Sequence, residues 1–209
     1  KSYQFLNKIS SEKKDDIINF FNEIALKVCE GQQMDMDFET KNDVTINDYL
    51  LMIELKTAVL FAASLKVAAI LSGATNNDID SLYNYGLNIG IAFQLRDDYL
   101  DTFGKSDSFG KIIGSDIKSK KKTVLFINAM QKSNEEDRIF LEKIYSEKST
   151  VNNEDIQIVT EIFKKYGVDK YCNQLSQSYY ELASTNIKKV SVSCDKLKNY
   201  SELLFKRRN

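Results

Sequence analysis

The stretch Gly90-Ile91-Ala92-Phe93-Gln94-Leu95-Arg96-Asp97-Asp98-Tyr99-Leu100-Asp101 carries the strongest signal in this chain. An uncharged apolar run, 87–93, leads directly into three carboxylates within five residues. If the stretch is helical, Asp97 and Asp101 lie on one face, one turn apart, and Gln94 lies one turn before Asp97. Like charges at this spacing destabilise a bare helix, so the pattern favours a cation between them. Oxygen ligands with no His or Cys nearby are typical of Mg²⁺, which also binds waters and substrate phosphates.

The alternative interpretation is that the three acids form the solvated end of an amphipathic helix. Two neighbouring features favour the cation instead. The acids follow an apolar run that has no polar face, so we expect them to project into a cavity. A segment rich in Lys and Gly, 104–122, follows them directly.

Three further blocks accompany the acidic stretch, and they occur in a fixed order. They are Gly31-Gln32-Gln33-Met34-Asp35, then Lys56-Thr57, and, after the acids, Gly110-Lys111 with Gly114-Ser115-Asp116-Ile117 and Lys120-Lys121-Lys122-Thr123. Together with Phe93-Gln94-x-x-Asp97-Asp98-x-x-Asp101, these blocks resemble the trans-isoprenyl diphosphate synthases of the polyprenyl synthetase family. The resemblance covers 30–123, and the remaining parts of the chain match only the family's helical pattern.

The resemblance implies a magnesium-dependent site and a role for each matching residue. Mg²⁺ would be held by the three acids, Asp97, Asp98 and Asp101. The diphosphate of the substrates would be bound by Lys56, Thr57, Gln94, Lys111 and Lys121. The first three of these, Lys56, Thr57 and Gln94, are also the candidate catalytic residues. Outer positions around the metal would be taken by Gln32, Asp35 and Asp116.

The basic residues have simpler interpretations beside these roles. Lys56 lies within an apolar helical pattern, where a lysine must be paired, face a cavity, or reach past the helix edge into solvent. Lys66 lies in the same pattern but matches no block, so we expect it to reach solvent. The segment 104–120 is either a lid that closes over diphosphate or a solvated loop. Arg96 is expected to point away from the metal.

Composition limits the possible chemistry. The chain has 209 residues, 43% hydrophobic and 28% charged, with a net charge of −1 and no His, Pro or Trp. This composition is typical of one globular domain, 1–209, and argues against a nucleic-acid partner. Without His, catalysis must use carboxylates, Lys, hydroxyls or a metal. Three widely spaced cysteines indicate neither a zinc site nor a disulfide framework and favour the cytoplasm; they are Cys29, Cys172 and Cys194.

Hydrophobic periodicity predicts an all-α fold. No convincing strand pattern occurs, and the longest apolar run, 58–71, is too short for stable membrane insertion. Gly31 is expected to end a helix, and Gly86 and Gly90 are expected to permit a close helix crossing. The resemblance specifies the fold as a helical bundle of the isoprenoid synthase type. The predicted helices are 3–9, 15–30, 46–71, 79–103, 123–130, 135–145, 154–166, 168–184 and 190–205.

The function implied by the resemblance is condensation of isopentenyl diphosphate with an allylic prenyl diphosphate, carried out by a homodimer. The family also has a first aspartate-rich motif and an Arg-Arg-Gly segment, which we do not find. We therefore expect a fold incomplete at the N-terminus and a chain that is inactive by itself. The alternatives are a non-catalytic partner subunit of a prenyl diphosphate synthase and, less well matched, a class I terpene cyclase. The length of the product cannot be read from the sequence.

Overall fold

The computed structural model describes residues 2–9, 12–41, 43–104, 113–146 and 150–206. Every regular element in these ranges is helical, which confirms the predicted all-α class. The helices are α1 (Ser2–Leu6), α2 (Lys14–Asp37), α3 (Ile46–Ile53), a π-helical turn (Glu54–Ala58), α4 (Val59–Leu71), α5 (Asn76–Phe103), α6 (Ser115–Lys118), α7 (Val124–Lys132), α8 (Glu135–Ser146), α9 (Asn153–Lys165), α10 (Val168–Ile187) and α11 (Asp195–Lys206).

The longest helix, α5, packs along both α4 and α10 and forms the centre of the bundle. The neighbouring backbone lies close to α5 at Gly86 and Gly90, as the sequence predicted. A Cβ added at Gly90 would lie 2.5 Å from the Cα of Ala58, and one added at Gly86 would lie 2.7 Å from the Cα of Ala62. Because such distances are not possible for a real Cβ, only glycine permits this packing, which brings the two central helices together.

The predicted helix end at Gly31 is wrong. Helix α2 continues to Asp37, and Gly31 is buried in its interior. A Cβ added at Gly31 would lie 2.4 Å from the backbone nitrogen of Lys56. Gly31 therefore permits a close helix crossing and does not cap α2. One turn later, the same helix carries Asp35 to the side chain of Lys56.

The segment predicted as one helix, 46–71, is interrupted. The π-helical turn Glu54–Ala58 separates α3 from α4, and it contains both Lys56 and Thr57. Such turns are rare and frequently occur at functional sites. The predicted start of α3 is confirmed, since Thr45 and Asp48 form a reciprocal capping box.

Two contacts attach the C-terminal segment to α5. The carboxylate of Asp78 accepts hydrogen bonds from the backbone and hydroxyl of Ser191, each 2.7 Å long. The hydroxyl of Tyr85 donates to Ser201 over 2.6 Å. Helix α11 begins at Asp195, five residues later than the predicted 190.

The segment predicted as a loop, 104–120, contains the short helix α6. The predicted diphosphate ligand Lys111 and its neighbours 105–112 lie outside the described residues. Among the helices that the structure describes, none is both long and apolar enough to cross a membrane.

Candidate active site

A cavity of about 270 Å³ opens where α3, the π-helical turn, α5 and the segment 115–123 meet. It brings together most of the residues that the sequence selected. Lining residues from the predicted set are Asp35, Lys56, Thr57, Gln94, Asp97, Asp98, Asp101, Asp116 and Lys121. The structure does not bring Gln32 to this cavity, because its side chain is exposed on α2 outside the lining.

The last acid of the cluster, Asp101, holds the segment 114–116. Its carboxylate accepts hydrogen bonds from the hydroxyl of Ser115 and from the backbone N–H of Asp116, the latter 2.9 Å long. Its backbone carbonyl accepts from the N–H of Gly114 over 2.7 Å. Asp101 therefore fixes the start of α6 against the end of α5. A carboxylate has about four lone-pair sites, so these bonds leave room for a cation.

Asp98 differs from the other two acids because it is buried, with only 4% of its surface exposed. Its carboxylate accepts hydrogen bonds from the hydroxyl of Tyr49 and from Nε2 of Gln94, the latter 2.9 Å long. Burial, and next the charge of Asp116, raise the pKa of Asp98 to about 7. Burial also raises the pKa of Tyr49 well above its usual value, as does the neighbouring Asp98. The tyrosine therefore remains protonated and acts as the donor.

Gln94 connects this buried pair to the π-helical turn. Its Oε1 accepts a hydrogen bond of 3.3 Å from the hydroxyl of Thr57, while its Nε2 donates to Asp98. Hydrogen bonds thus join four side chains from α3, the π-helical turn and α5 in one continuous series: Tyr49, Asp98, Gln94 and Thr57. All four line the cavity.

Lysines face the acids from two sides of the cavity. The ammonium of Lys56 lies 2.7 Å from Asp35, and that of Lys121 lies 2.9 Å from Asp116. Burial alone would lower the pKa of Lys121, but the hydrogen bond and charge of Asp116 outweigh it and the pKa is raised. Burial, and next the charge of Asp101, raise the pKa of Asp116. The cavity therefore holds closely spaced negative charge that a cation would stabilise.

Tyr49 and Lys122 are among the cavity residues that the sequence analysis did not select. Tyr49 lies two helical turns before Lys56, and this spacing within an apolar helix is the one signal that could have found it. Lys122 was treated as part of a basic run. Its ammonium donates to the carbonyl of Lys41 over 2.7 Å and to that of Glu39 over 3.4 Å, so it fixes the chain just past α2.

Two basic residues, Arg96 and Lys66, lie away from the cavity lining. Arg96 donates a hydrogen bond of 2.9 Å to Asn173 and stacks over Tyr99 at 4.9 Å, which confirms that it points away from the acids. Lys66 lies 4.5 Å above the ring of Phe20 and 5.4 Å from that of Tyr83. It is therefore held by aromatic rings, which the sequence analysis did not predict.

The donor set fits Mg²⁺ bound together with a phosphate ligand. Within the described part of the chain, no three carboxylate, thiol or imidazole groups converge into a metal site made by protein alone. Mg²⁺ usually needs only one or two carboxylates, because waters and substrate phosphates complete its shell. Asp97 and Asp101 lie one turn apart on α5 and both line the cavity, so they match that requirement.

Comparisons with known proteins agree on one family. A sequence model described as polyprenyl synthetase matches residues 1–163. The chain is 37% identical over 163 residues to a short chain isoprenyl diphosphate synthase of Methanothermobacter thermautotrophicus, covering 78% of this chain. It is 34% identical over 209 residues to a geranylgeranyl diphosphate synthase of Sulfolobus acidocaldarius, covering 98% of this chain.

A solved structure gives the same result for the fold. The crystal structure of geranylgeranyl pyrophosphate synthase from Corynebacterium glutamicum, complexed with isoprenyl diphosphate and magnesium, matches with a TM-score of 0.87 at 27% identity. The match covers 95% of this chain and 57% of that chain. This chain spans 49% of the length of the Methanothermobacter relative and 63% of that of the Sulfolobus relative.

Proposed function

Because this chain belongs to the polyprenyl synthetase family, we propose that it forms the diphosphate-binding part of a magnesium-dependent prenyltransferase. The reaction joins isopentenyl diphosphate to an allylic prenyl diphosphate, as in geranylgeranyl diphosphate synthases. The observation that carries the proposal is one cavity in which the acids of α5 face Lys56 and Lys121. A site of this kind binds a polyanion and a divalent cation together.

Each side chain has a role in this proposal. Asp97 and Asp101 hold Mg²⁺, while Asp98, whose oxygens both accept protein hydrogen bonds, supports them from the core. The diphosphate oxygens are bound and oriented by Lys56, Thr57, Gln94 and Lys121, and Asp35 and Asp116 hold the two lysines in place. Lys111 remains a predicted diphosphate ligand outside the described residues.

The proposed chemistry needs no histidine. When bound, Mg²⁺ supplies positive charge that neutralises the diphosphate as its C–O bond breaks. The double bond of isopentenyl diphosphate then forms the new C–C bond to the allylic carbon, and a proton leaves to the released diphosphate. The apolar side chains of Phe38, Met52 and Ile53 line the cavity and exclude water from the allylic cation.

The test is product formation from radiolabelled isopentenyl diphosphate and an allylic primer. The assay uses this chain and a chimera in which the N-terminal region of the Sulfolobus acidocaldarius relative precedes it. We expect a longer prenyl diphosphate that requires Mg²⁺ and is lost in Asp97→Ala. Arg96→Gln is the matched control on the same helix, because Arg96 points away from the cavity. No product from either protein, or product formation in EDTA, would contradict the proposal.

A further inference from the structure

Tyr49 is the most deeply buried polar side chain at the cavity, with 1% of its surface exposed. The capping box of Thr45 and Asp48 fixes the start of α3 four residues before it. Tyr49 therefore enters the cavity wall from a rigid helix end. Its hydroxyl donates to Asp98 on the facing helix α5.

The hydrogen bonds that join Tyr49, Asp98, Gln94 and Thr57 have a defined direction. Both carboxyl oxygens of Asp98 accept hydrogen bonds, one from Tyr49 and one from Nε2 of Gln94, so the NH₂ side of the Gln94 amide faces Asp98. The Oε1 of Gln94 then faces Thr57, whose hydroxyl donates to it over 3.3 Å. One N–H of Gln94 is used by Asp98, and the second is the donor that remains for a ligand in the cavity.

We propose that Tyr49 is a positioning residue, which holds Asp98 so that the amide of Gln94 presents N–H and not oxygen to the diphosphate. The inference rests on the proposed function, because that function places Gln94 against the diphosphate. Tyr49 itself touches no reacting atom and acts through Asp98 and Gln94.

Loss of the Tyr49 hydroxyl removes one donor from this series of hydrogen bonds. The freed oxygen of Asp98 is buried and without its donor, so the carboxylate can turn towards another partner. The Gln94 amide is then no longer fixed at its NH₂ end. A turned amide would direct Oε1 at the diphosphate oxygens, and two acceptors repel.

A merely structural role must be distinguished from positioning. Tyr85 offers the matched control, because it is also buried, with 3% exposed, and its hydroxyl also donates a hydrogen bond, to Ser201. It lies on α5 outside the cavity lining. Tyr49→Phe removes the hydroxyl that donates to Asp98, and Tyr85→Phe removes a buried hydroxyl that contacts Ser201 and the carbonyl of Leu197. Only the first hydroxyl lies in the series of hydrogen bonds that leads to Gln94.

The experiment combines NMR of the ligand-free protein with calorimetry. The side-chain amide signals of Gln94 are recorded in the parent chain, Tyr49→Phe and Tyr85→Phe. The affinity for methylenebisphosphonate with Mg²⁺ is then measured in the same three proteins. Gln94→Leu and the double variant Tyr49→Phe/Gln94→Leu complete a cycle that tests whether Tyr49 acts through Gln94.

We expect Tyr49→Phe to shift the Gln94 signals and to weaken bisphosphonate affinity about tenfold, the usual effect of one lost buried hydrogen bond. Tyr85→Phe should change neither the Gln94 signals nor the affinity. In the Gln94→Leu background, Tyr49→Phe should cause no further loss of bisphosphonate affinity. Unchanged Gln94 signals, unchanged affinity, or additive losses in the cycle would each overturn the inference. A parent chain that binds no magnesium bisphosphonate would contradict the proposed function, and the Gln94 signals alone would then decide whether Tyr49 fixes the amide.

Discussion

At the scale of single residues, two acid–lysine pairs line the cavity, one at the π-helical turn and one in the segment 115–123. Lys56 is paired with Asp35 and Lys121 with Asp116, at 2.7 and 2.9 Å. These pairs keep both ammonium groups at the cavity without a ligand. In the proposed function, a diphosphate bound with Mg²⁺ would share these lysines, and Asp97 and Asp101 would hold the metal.

The role of Lys56 can be tested by replacing it with methionine. Lys56→Met keeps much of the aliphatic stem and removes the charge, so the affinity for magnesium bisphosphonate should fall about 10–100-fold, the usual effect of one charge-assisted hydrogen bond. Lys66→Met is the matched control, because Lys66 lies on α4 against aromatic rings. Calorimetry measures both, and an equal loss in the two variants would contradict the assignment.

The burial of Asp98 predicts a pH dependence of stability. Its pKa is raised from 3.8 to about 7, so the folded state retains a proton that the unfolded state releases. This contribution to the free energy of unfolding is fully present below about pH 4 and is lost as the pH rises through about 7, by at most about 4 kcal/mol. Urea denaturation in EDTA at pH 4.5 and 7.5 measures the loss.

The variant Asp98→Asn should abolish most of this decline between the two pH values. Asp97→Asn serves as the control, because Asp97 is adjacent in sequence and only half-buried. A decline of the same size in Asp98→Asn and in the parent chain would show that other groups cause it.

The sequence could predict which residues meet at the cavity but not how the three acids differ. Helical spacing alone places Asp97 and Asp101 one turn apart. The burial of Asp98 depends on Tyr49, which approaches from another helix. Asp35 was assigned to the site only through the family resemblance, because its pairing with Lys56 depends on where α2 crosses the π-helical turn.

At the scale of elements, α6 is docked on the end of α5 through Gly114. This residue has a φ of +78°, and a Cβ there would lie 2.5 Å from Cγ2 of Ile156 on α9. Glycine is therefore required at this position for two reasons, the left-handed backbone and the close contact with α9. The docking places Ser115 and Asp116 against Asp101.

The variant Gly114→Ala tests this docking. We expect a loss of about 1–2 kcal/mol from the left-handed backbone and about 1–3 kcal/mol more from the clash with Ile156. Bisphosphonate affinity should also fall, because Asp116 leaves its position. Gly73→Ala isolates the backbone effect, since Gly73 has a φ of +72° and nothing within 4 Å of an added Cβ. If the two variants lose equal stability, the contact with Ile156 is unimportant.

Periodicity located most helix ends within about three residues, because buried apolar positions recur every 3.6 residues. Hydrophobic periodicity could not predict two features of the fold. The π-helical turn Glu54–Ala58 lies in a segment that is apolar on nearly every side. A change in the hydrophobic period over only five residues cannot be recognised in such a segment. Glycine is typical of helix ends, so the sequence predicted that Gly31 ends a helix. Only the close approach of the Lys56 backbone shows that Gly31 permits a helix crossing.

At the scale of the whole molecule, we propose that two copies associate through α1 and α2. These helices pack on each other, and each exposes a large apolar side chain, Phe5 at 68% and Leu26 at 65%. Leu26→Glu should shift the chain towards monomer in sedimentation equilibrium. Leu203→Glu on α11, where the leucine is 73% exposed, is the control. A parent chain that is already monomeric at micromolar concentration would contradict the proposal.

In the proposed function, α5 and the facing lysines bind diphosphate only together with Mg²⁺. Calorimetric titration of methylenebisphosphonate into the protein, with Mg²⁺ and then in EDTA, tests it most directly. We expect binding with Mg²⁺, affinity at least about a hundredfold weaker in EDTA, and a similar loss in Asp97→Ala even when Mg²⁺ is present. Equal affinity in Mg²⁺ and in EDTA would contradict a magnesium-dependent site, because the lysines alone would then bind the ligand and the acids of α5 would have no part in it.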